Sequence, residues 1–318
     1  MRAYTSIRAV LRDCEKALLD FRRDAVLSAL GITNRVKVAD AIGRYIEHLK
    51  ATCTAGHAKV RRSILGKWTA SIGDVHHMDA LKPSHVQEHI DALTNSGAAR
   101  WTVRNAYAAI HAFLEWAGSM EMIPTNAAAK VTKPRVPKGN PKALPPEWIS
   151  TIMSEVEGLG RLVVAVALAV LAGIRRAEAC RLEWADVDFS GRMLTMRAAA
   201  AKTGLERHVP INPRLLSILR EAYRERGTVR FLVRGKRADG SADPDKLGKA
   251  VVEFFRARHG GTIGMQLLRA TWETALLDMG VPPQQVATWA GHSVAVQQMH
   301  YAHRDGTRHR EVLDRLAM

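Results

Sequence analysis

One proline-rich stretch divides the sequence and limits how the chain can fold. Residues 130–142 contain three prolines, five lysine or arginine residues and no acidic residue. Proline fixes φ and disfavours helix in the residue before it, so this stretch is predicted to be extended. At 318 residues the chain is long enough for two hydrophobic cores. We therefore predict a basic linker at 130–143 with a domain on each side.

The part of the chain before this linker has the periodicity of short α-helices. Apolar residues recur at helical spacing from residue 38 to about residue 129, for example at Ala41, Tyr45 and Leu49 on one face. Turn residues interrupt the pattern, so residues 37–129 are predicted to form an all-α domain of four helices. Residues 1–36 contain further helical spacing. They are predicted to be either a separate arm or a helix packed on this domain, and both interpretations remain open.

The part after the linker, residues 144–318, is predicted to be mainly helical with a small antiparallel sheet. The apolar run at 163–174 indicates a buried helix and is too short to cross a bilayer. Strand-like stretches at 192–197 and 207–211 flank a turn, which predicts a β-hairpin. Residues 308–318 have the spacing of a short amphipathic tail helix. The predicted fold class is mainly α with two domains, an all-α four-helix domain followed by an α+β domain.

The charge of the chain indicates a polyanionic partner. Lysine and arginine total 47 against 31 acidic residues, a net charge of +16, and such a field favours nucleic acid. A generically basic protein or one that binds anionic membrane is the alternative, but no lysine-rich amphipathic helix supports the membrane version. The three cysteines are scattered, and no signal-peptide pattern begins the chain. We therefore expect a reduced, cytoplasmic protein without metal-type cysteine pairs.

Five short segments after the linker carry residue types suited to phosphate chemistry. In chain order they are Gly173-Ile-Arg175-Arg-Ala-Glu178, Lys202, Gln266-Leu-Leu-Arg269, Ala290-Gly291-His292 and Tyr301. Each has an ordinary explanation when taken alone. An arginine at a helix end neutralises carbonyl groups, a turn lysine is solvated, a Gly-His pair ends a helix, and a tyrosine packs in a core. Guanidinium groups bind phosphate oxygens bidentately, which suits the two arginines to a phosphate site. The five segments in this order are more informative than any one of them.

Together these segments resemble the tyrosine recombinase (phage integrase) family in order and spacing, including the nine positions from His292 to Tyr301. The resemblance covers roughly residues 38–310, because the helical domain and the linker look like the family's SAM-like core-binding domain and its interdomain linker. It implies a site-specific recombinase or integrase. Such an enzyme cleaves and rejoins double-stranded DNA through a covalent 3′-phosphotyrosine intermediate.

The resemblance also implies a role for each residue of the predicted site. Tyr301 would be the nucleophile, and Lys202 would protonate the leaving 5′-oxygen. Arg175 and Arg269 would stabilise the charge of the five-coordinate phosphorane, and His292 would donate a hydrogen bond to a phosphoryl oxygen. No cofactor and no metal ion are implied, because the covalent intermediate retains the energy of the phosphodiester.

One residue departs from the family pattern. Gln266 occupies a position where the family usually has histidine and sometimes lysine. A glutamine amide can donate a hydrogen bond to phosphate but cannot carry a proton, so Gln266 is predicted to bind rather than to act as acid or base. His300 and His303, which flank Tyr301, are candidate proton acceptors, and Glu178 is predicted to orient the site.

The resemblance further implies a homotetramer on paired DNA sites, with accessory DNA-bending proteins as candidate partners and no membrane association. The expected location is the cytoplasm, in association with the nucleoid. The departure at Gln266 leaves a catalytically weak or inactive DNA-binding relative as an alternative. A type IB topoisomerase-like enzyme is a second alternative, which the modest chain length and the apparent core-binding domain disfavour.

Overall fold

The computed structural model of the protein describes residues 36–137, 143–201 and 204–293, together with residues 18, 19 and 22. The chain divides into two compact units, Met1–Lys138 and Gly139–Met318, called here the N-terminal and C-terminal units. The described residues are mainly helical with one small antiparallel sheet, which confirms the predicted fold class. None of their helices combines the length and apolar character needed to span a bilayer. The predicted tail helix, and nearly all of the predicted arm, lie outside the described residues.

Within residues 36–137, four α-helices build the N-terminal unit. They are α1 (Val38–Thr52), α2 (Ala55–Ser71), α3 (Pro83–Asn95) and α4 (Arg100–Ser119), with 3₁₀ turns at Met78–Ala80 and Ala127–Lys130. Aromatic residues join the helices: the Phe113 ring of α4 lies 5.5 Å from Tyr45 of α1 and 6.2 Å from Trp68 of α2, centroid to centroid. Trp68 and Phe113 are fully buried, so burial of these large apolar rings holds three helices together.

The C-terminal unit is organised around one buried helix. The helices of its described part are α5 (Trp148–Glu155), α6 (Arg161–Ala172), α7 (Arg176–Ala179), α8 (Pro213–Arg224), α9 (Pro244–His259), α10 (Met265–Asp278) and α11 (Pro283–Ala290). Every residue from 164 to 172 of α6 is buried, and the helix packs against both α8 and α10. The apolar run that predicted a buried helix therefore forms the centre of this unit, and its C-terminal end is surrounded by other elements.

A three-stranded antiparallel sheet with the order β1-β2-β3 lies beside these helices. The strands are β1 (Val187–Asp188), β2 (Met193–Met196) and β3 (Arg207–Pro210). The predicted hairpin is β2 and β3, with Leu194 opposite Val209, and the two-residue strand β1 was not predicted. Alternation along β3 buries Arg207 and Val209 and exposes His208 and Pro210. A charged side chain is thereby directed into the unit.

Candidate functional site

The C-terminal end of α6 begins the site. Gly173 follows the helix with φ of 64°, a left-handed conformation that glycine adopts without strain. A Cβ atom added to this glycine would lie 2.2 Å from Cε3 of Trp272 on α10, so only hydrogen fits there. The sharp turn directs the chain away from α6 and places Arg175 at the N-cap of the short helix α7.

Arg269 connects the ends of two helices. Its guanidinium donates hydrogen bonds to the carbonyl oxygen of Gly173 and, over 2.7 Å, to that of Ala290 at the end of α11. Its Nε atom lies 2.9 Å from Oε1 of Glu273, one turn further along α10. Burial lowers the pKa of Arg269 to about 10, while the Glu273 charge opposes the shift, so the side chain stays cationic at neutral pH.

Arg175 approaches the same place from α7. Its Nη1 donates to Oε1 of Glu178 over 3.0 Å, and its Nη2 donates to the carbonyl oxygen of Gly291 over 2.8 Å. The Arg175 side chain is 19% exposed, whereas that of Arg269 is 2% exposed. Arg175 is therefore the guanidinium of this pair with a surface open to a ligand.

Glu178 is almost fully buried and pairs with an arginine outside the set predicted from the sequence. Arg207, the inward-facing residue of β3, donates to Oε2 of Glu178 over 2.6 Å and to the carbonyl oxygen of Trp289 over 2.9 Å. Burial raises the pKa of Glu178, but the hydrogen bond and charge of Arg207, with a further contribution from Arg175, outweigh it and lower the pKa. The alternation of β3 was the available signal for Arg207, since it places residue 207 on the same face as Val209.

His292 completes the described part of the site, together with a second unpredicted residue. Gly291 ends α11 in a left-handed conformation, and His292 follows it. The Nε2 atom of the imidazole lies 3.1 Å from Oε2 of Glu273, and Nδ1 lies 3.2 Å from the carbonyl oxygen of Ser293. One carboxylate, that of Glu273, therefore contacts both His292 and Arg269.

The structure thus brings three of the six predicted residues together: Arg175, Arg269 and His292. Gln266 is exposed on the first turn of α10 and makes no side-chain hydrogen bond within the described ranges. Lys202 and Tyr301 lie outside the described residues, as do both histidines that flank the tyrosine. The roles of all six residues remain predictions.

The charges of the site favour an anion. Arg175, Arg207 and Arg269 surround two buried carboxylates, those of Glu178 and Glu273, which leaves an excess of one positive charge. The carboxylates and carbonyl groups also fix the direction of each guanidinium. A phosphate group next to Arg175 would meet donors that are already oriented, which is the arrangement that stabilises a developing negative charge.

More than half of the chain matches a known family. A model described as the phage integrase family matches residues 142–308 of the 318. The tyrosine recombinase XerC of Myxococcus xanthus is 27% identical over 200 residues, which cover 58% of this chain and 66% of that relative. The chain therefore matches just under two thirds of that relative's length.

Solved structures of two integrases have a similar fold. The Tn1549 transposon integrase in complex with circular intermediate DNA has a TM-score of 0.67 at 17% identity, covering 87% of this chain and 99% of that one. A lambda integrase tetramer bound to a Holliday junction has a TM-score of 0.66 at 15% identity, covering 82% of this chain and 75% of that one. At these identities the similarity shows the fold alone.

Proposed function

Because this chain belongs to the phage integrase family, we propose that it is a tyrosine recombinase that cleaves and rejoins DNA strands at specific sites. The observation that carries this proposal is the cationic site at the end of α6. Three arginines fixed by two buried carboxylates leave one positive charge, which matches the single negative charge of a phosphodiester. The net charge of +16 supports DNA as the substrate.

In the proposed reaction, the hydroxyl oxygen of Tyr301 attacks the phosphorus atom of the scissile phosphodiester. A bond forms between phosphorus and the tyrosine oxygen, and the bond between phosphorus and the 5′-oxygen breaks. The tyrosine proton passes to a base, for which His300 and His303, its neighbours in the sequence, are the candidates, and Lys202 donates a proton to the leaving oxygen. Reversal of the same steps by the 5′-hydroxyl of another strand releases the tyrosine and rejoins the DNA.

The proposed roles of the arginines follow from their exposure. Arg175 contacts the phosphate directly, because its guanidinium is the more exposed of the two that were predicted. The Arg269 side chain is 2% exposed and its described contacts go to protein groups, so its proposed role is to place positive charge beside the phosphate and to hold the ends of α6 and α11 together. Loss of the Arg175 guanidinium removes a donor of the kind that typically contributes about 3–4 kcal/mol to barrier lowering.

The N-terminal unit is proposed to hold the DNA as a core-binding domain, with the basic stretch at 130–143 as the linker to a catalytic domain at 144–318. Helix α2 of the N-terminal unit carries Lys59, Arg62 and Lys67 at exposed positions, where they suit phosphate contacts. Assembly as a homotetramer on paired sites is proposed because the lambda integrase of similar fold is a tetramer on a Holliday junction. Accessory DNA-bending proteins and a nucleoid-associated, cytoplasmic location remain predictions.

The test is covalent trapping on nicked suicide duplexes, in which the released 5′ fragment diffuses away and prevents religation. A pool with randomised sequence removes the need to know the target site. Wild-type protein should form an adduct that resists detergent, and Tyr301→Phe should form none. Tyr223→Phe is the matched control, since it removes the same hydroxyl from a tyrosine that packs against Trp184, and it should form the adduct normally. An adduct in Tyr301→Phe would contradict the assignment of the nucleophile.

A second candidate function is favoured by one observation, the exposed amide at Gln266 in place of a cationic side chain. A protein that binds recombination sites without cleaving them would retain DNA affinity and form no adduct with any duplex of the pool. Adduct formation by the wild-type protein separates the two functions, and Gln266→His then tests the part that the amide plays. If glutamine fills the donor position of a working site, cleavage should hold or rise in this variant. A collapse of cleavage would mean that the site depends on the neutral amide.

A further inference from the structure

Glu273 is a buried acid for which the proposed reaction has no use. It lies one turn after Arg269 on α10, and only 5% of the residue is exposed. Burying a carboxylate is unfavourable unless charged or hydrogen-bonding partners compensate for the lost water. A buried acidic side chain in a site that is proposed to bind an anion therefore requires an explanation.

The contacts of Glu273 supply that explanation. Oε1 lies 2.9 Å from Nε of Arg269, and Oε2 lies 3.1 Å from Nε2 of His292. The Arg269 side chain is 2% exposed and that of His292 is 11% exposed, so little water competes with either contact. A single rigid group thus fixes the separation of two residues that come from α10 and from the end of α11.

The same contacts define the chemical state of the imidazole. An ionised carboxylate only accepts hydrogen bonds, so the contact to Glu273 requires a proton on Nε2 of His292. The Nδ1 atom lies 3.2 Å from the carbonyl oxygen of Ser293, which is also an acceptor. Nε2 carries a single hydrogen, so its hydrogen bond goes to Glu273, and this contact fixes both the tautomer and the orientation of the ring.

We propose that Glu273 is a positioning residue for DNA cleavage, which orients the His292 ring through Nε2 and aligns Arg269 through Nε. This inference rests on the proposed recombinase function. Glu273 itself touches neither the phosphate nor the nucleophile in this scheme. Its effect on the reaction passes through the two residues that it contacts.

Glu273→Gln provides a test with a defined structural outcome. The Nε–H group of Arg269 requires an acceptor, so it takes the amide oxygen of the glutamine. The amide nitrogen then faces Nε2 of His292, and because this nitrogen is a donor, Nε2 must become an acceptor. The substitution therefore changes His292 from donor to acceptor at Nε2 with almost no change in side-chain size.

Two measurements follow this change, and the first requires no DNA. In protein labelled with ¹⁵N-histidine, the Nε2 resonance of His292, assigned by its absence from His292→Ala, should change from a protonated to an unprotonated nitrogen. The second measurement is the single-turnover rate of adduct formation on a suicide duplex, which should fall by about 10- to 100-fold, as expected for loss of a hydrogen bond to a charged group. DNA affinity should stay within about twofold of wild type, because the binding contacts are retained.

Matched variants separate positioning from general effects. Glu253→Gln removes an equal charge from an exposed position of α9, where Glu253 lies 3.6 Å from Lys249, and it should leave cleavage unchanged. In a His292→Ala background, Glu273→Gln should have a smaller effect than in the wild-type background, because one of its two targets is absent. Glu273→Asp keeps the charge but is one methylene shorter, so its rate should lie between wild type and Glu273→Gln. It serves as the deciding variant if the glutamine variant does not fold.

Each outcome decides the proposal. A wild-type cleavage rate in Glu273→Gln overturns it, and so does a reduced rate with an unchanged His292 resonance. Full additivity with His292→Ala also overturns it. If the wild-type protein forms no adduct at all, the proposed function fails and the role in cleavage falls with it. The histidine resonance then still decides whether the contact controls the state of His292.

Discussion

Replacement of Arg207 by methionine should destabilise the C-terminal unit because it leaves a buried carboxylate with fewer partners. The Glu178 side chain is 1% exposed, and Nη2 of Arg207 lies 2.6 Å from its Oε2 atom. Removing one partner of a buried ion pair typically costs about 3–5 kcal/mol. Arg175 remains 3.0 Å from the other oxygen, so we expect a loss near the lower end, about 3 kcal/mol. That is a large part of the free energy of unfolding of a typical domain, which is roughly 5–15 kcal/mol.

The pH dependence of this loss gives a second, independent expectation. In the wild-type protein the pKa of Glu178 is lowered in the folded state, despite burial, mainly by Arg207. Its contribution to stability is therefore present above the unfolded value and is lost as the pH falls through the folded value. In Arg207→Met, the effect of burial on Glu178 is opposed less strongly, so the pKa of this carboxyl group is higher than in the wild-type protein. Protonation of Glu178 then removes the unfavourable buried charge. The difference in stability between variant and wild type should therefore shrink as the pH falls from about 7 to about 4.

The measurement must report on the C-terminal unit alone, because a chain with two units need not unfold in one step. Hydrogen exchange of peptides from α6 and β3 across a urea series provides the free energy of unfolding for this unit. Arg230→Met is the matched control. Arg230 forms a bidentate pair of 2.6 and 2.8 Å with Glu183, but its side chain is 67% exposed, so its loss should have a much smaller effect. Equal effects of the two substitutions, or a deficit that does not change with pH, would refute the reasoning.

Three further expectations concern the stability of the C-terminal unit, the reactivity of two cysteines and the salt dependence of DNA binding. Gly173→Ala combines a positive φ with a Cβ 2.2 Å from the Trp272 ring, so it should lower the free energy of unfolding by at least about 2 kcal/mol; the same exchange series measures this, and a neutral result would contradict the close approach. Burial raises the pKa of the Cys180 thiol to about 11, whereas Cys53 is exposed. Iodoacetamide should therefore modify Cys53 in the native protein and spare Cys180 until urea is added, as peptide mass spectrometry would detect; rapid native labelling of Cys180 would disprove its burial. DNA affinity should fall steeply with salt in a filter-binding titration, and a flat dependence would argue against phosphate contacts.

Much of the secondary structure is determined by local sequence. The apolar run at 163–174 predicted α6, and the strands that flank the turn predicted β2 and β3. These signals are local because helix and strand periodicities are set by neighbouring residues and by which face is buried. The order and spacing of short segments also selected Arg175, Arg269 and His292, and the structure brings these three together.

The sequence left the partners of these residues undetermined. It marked Glu178 as an orienting residue because of its spacing from Arg175, but it did not indicate Arg207, which is 29 positions away in the chain. It also gave no reason to select Glu273, whose contact with His292 spans 19 positions. Periodicity indicates that a side chain points inwards, and it does not indicate which charge lies opposite.

The tertiary structure decided those pairings by placing the ends of α6 and α11, the start of α7 and the strand β3 around one point. A buried charge is tolerated only where an opposite charge or a hydrogen-bonding group lies within a few ångströms. Such proximity depends on how the elements pack rather than on the spacing of residues within any one of them. The sequence by itself therefore determined the elements and the residue types of the site, and the packing determined that two buried carboxylates, Glu178 and Glu273, hold its cationic groups in place.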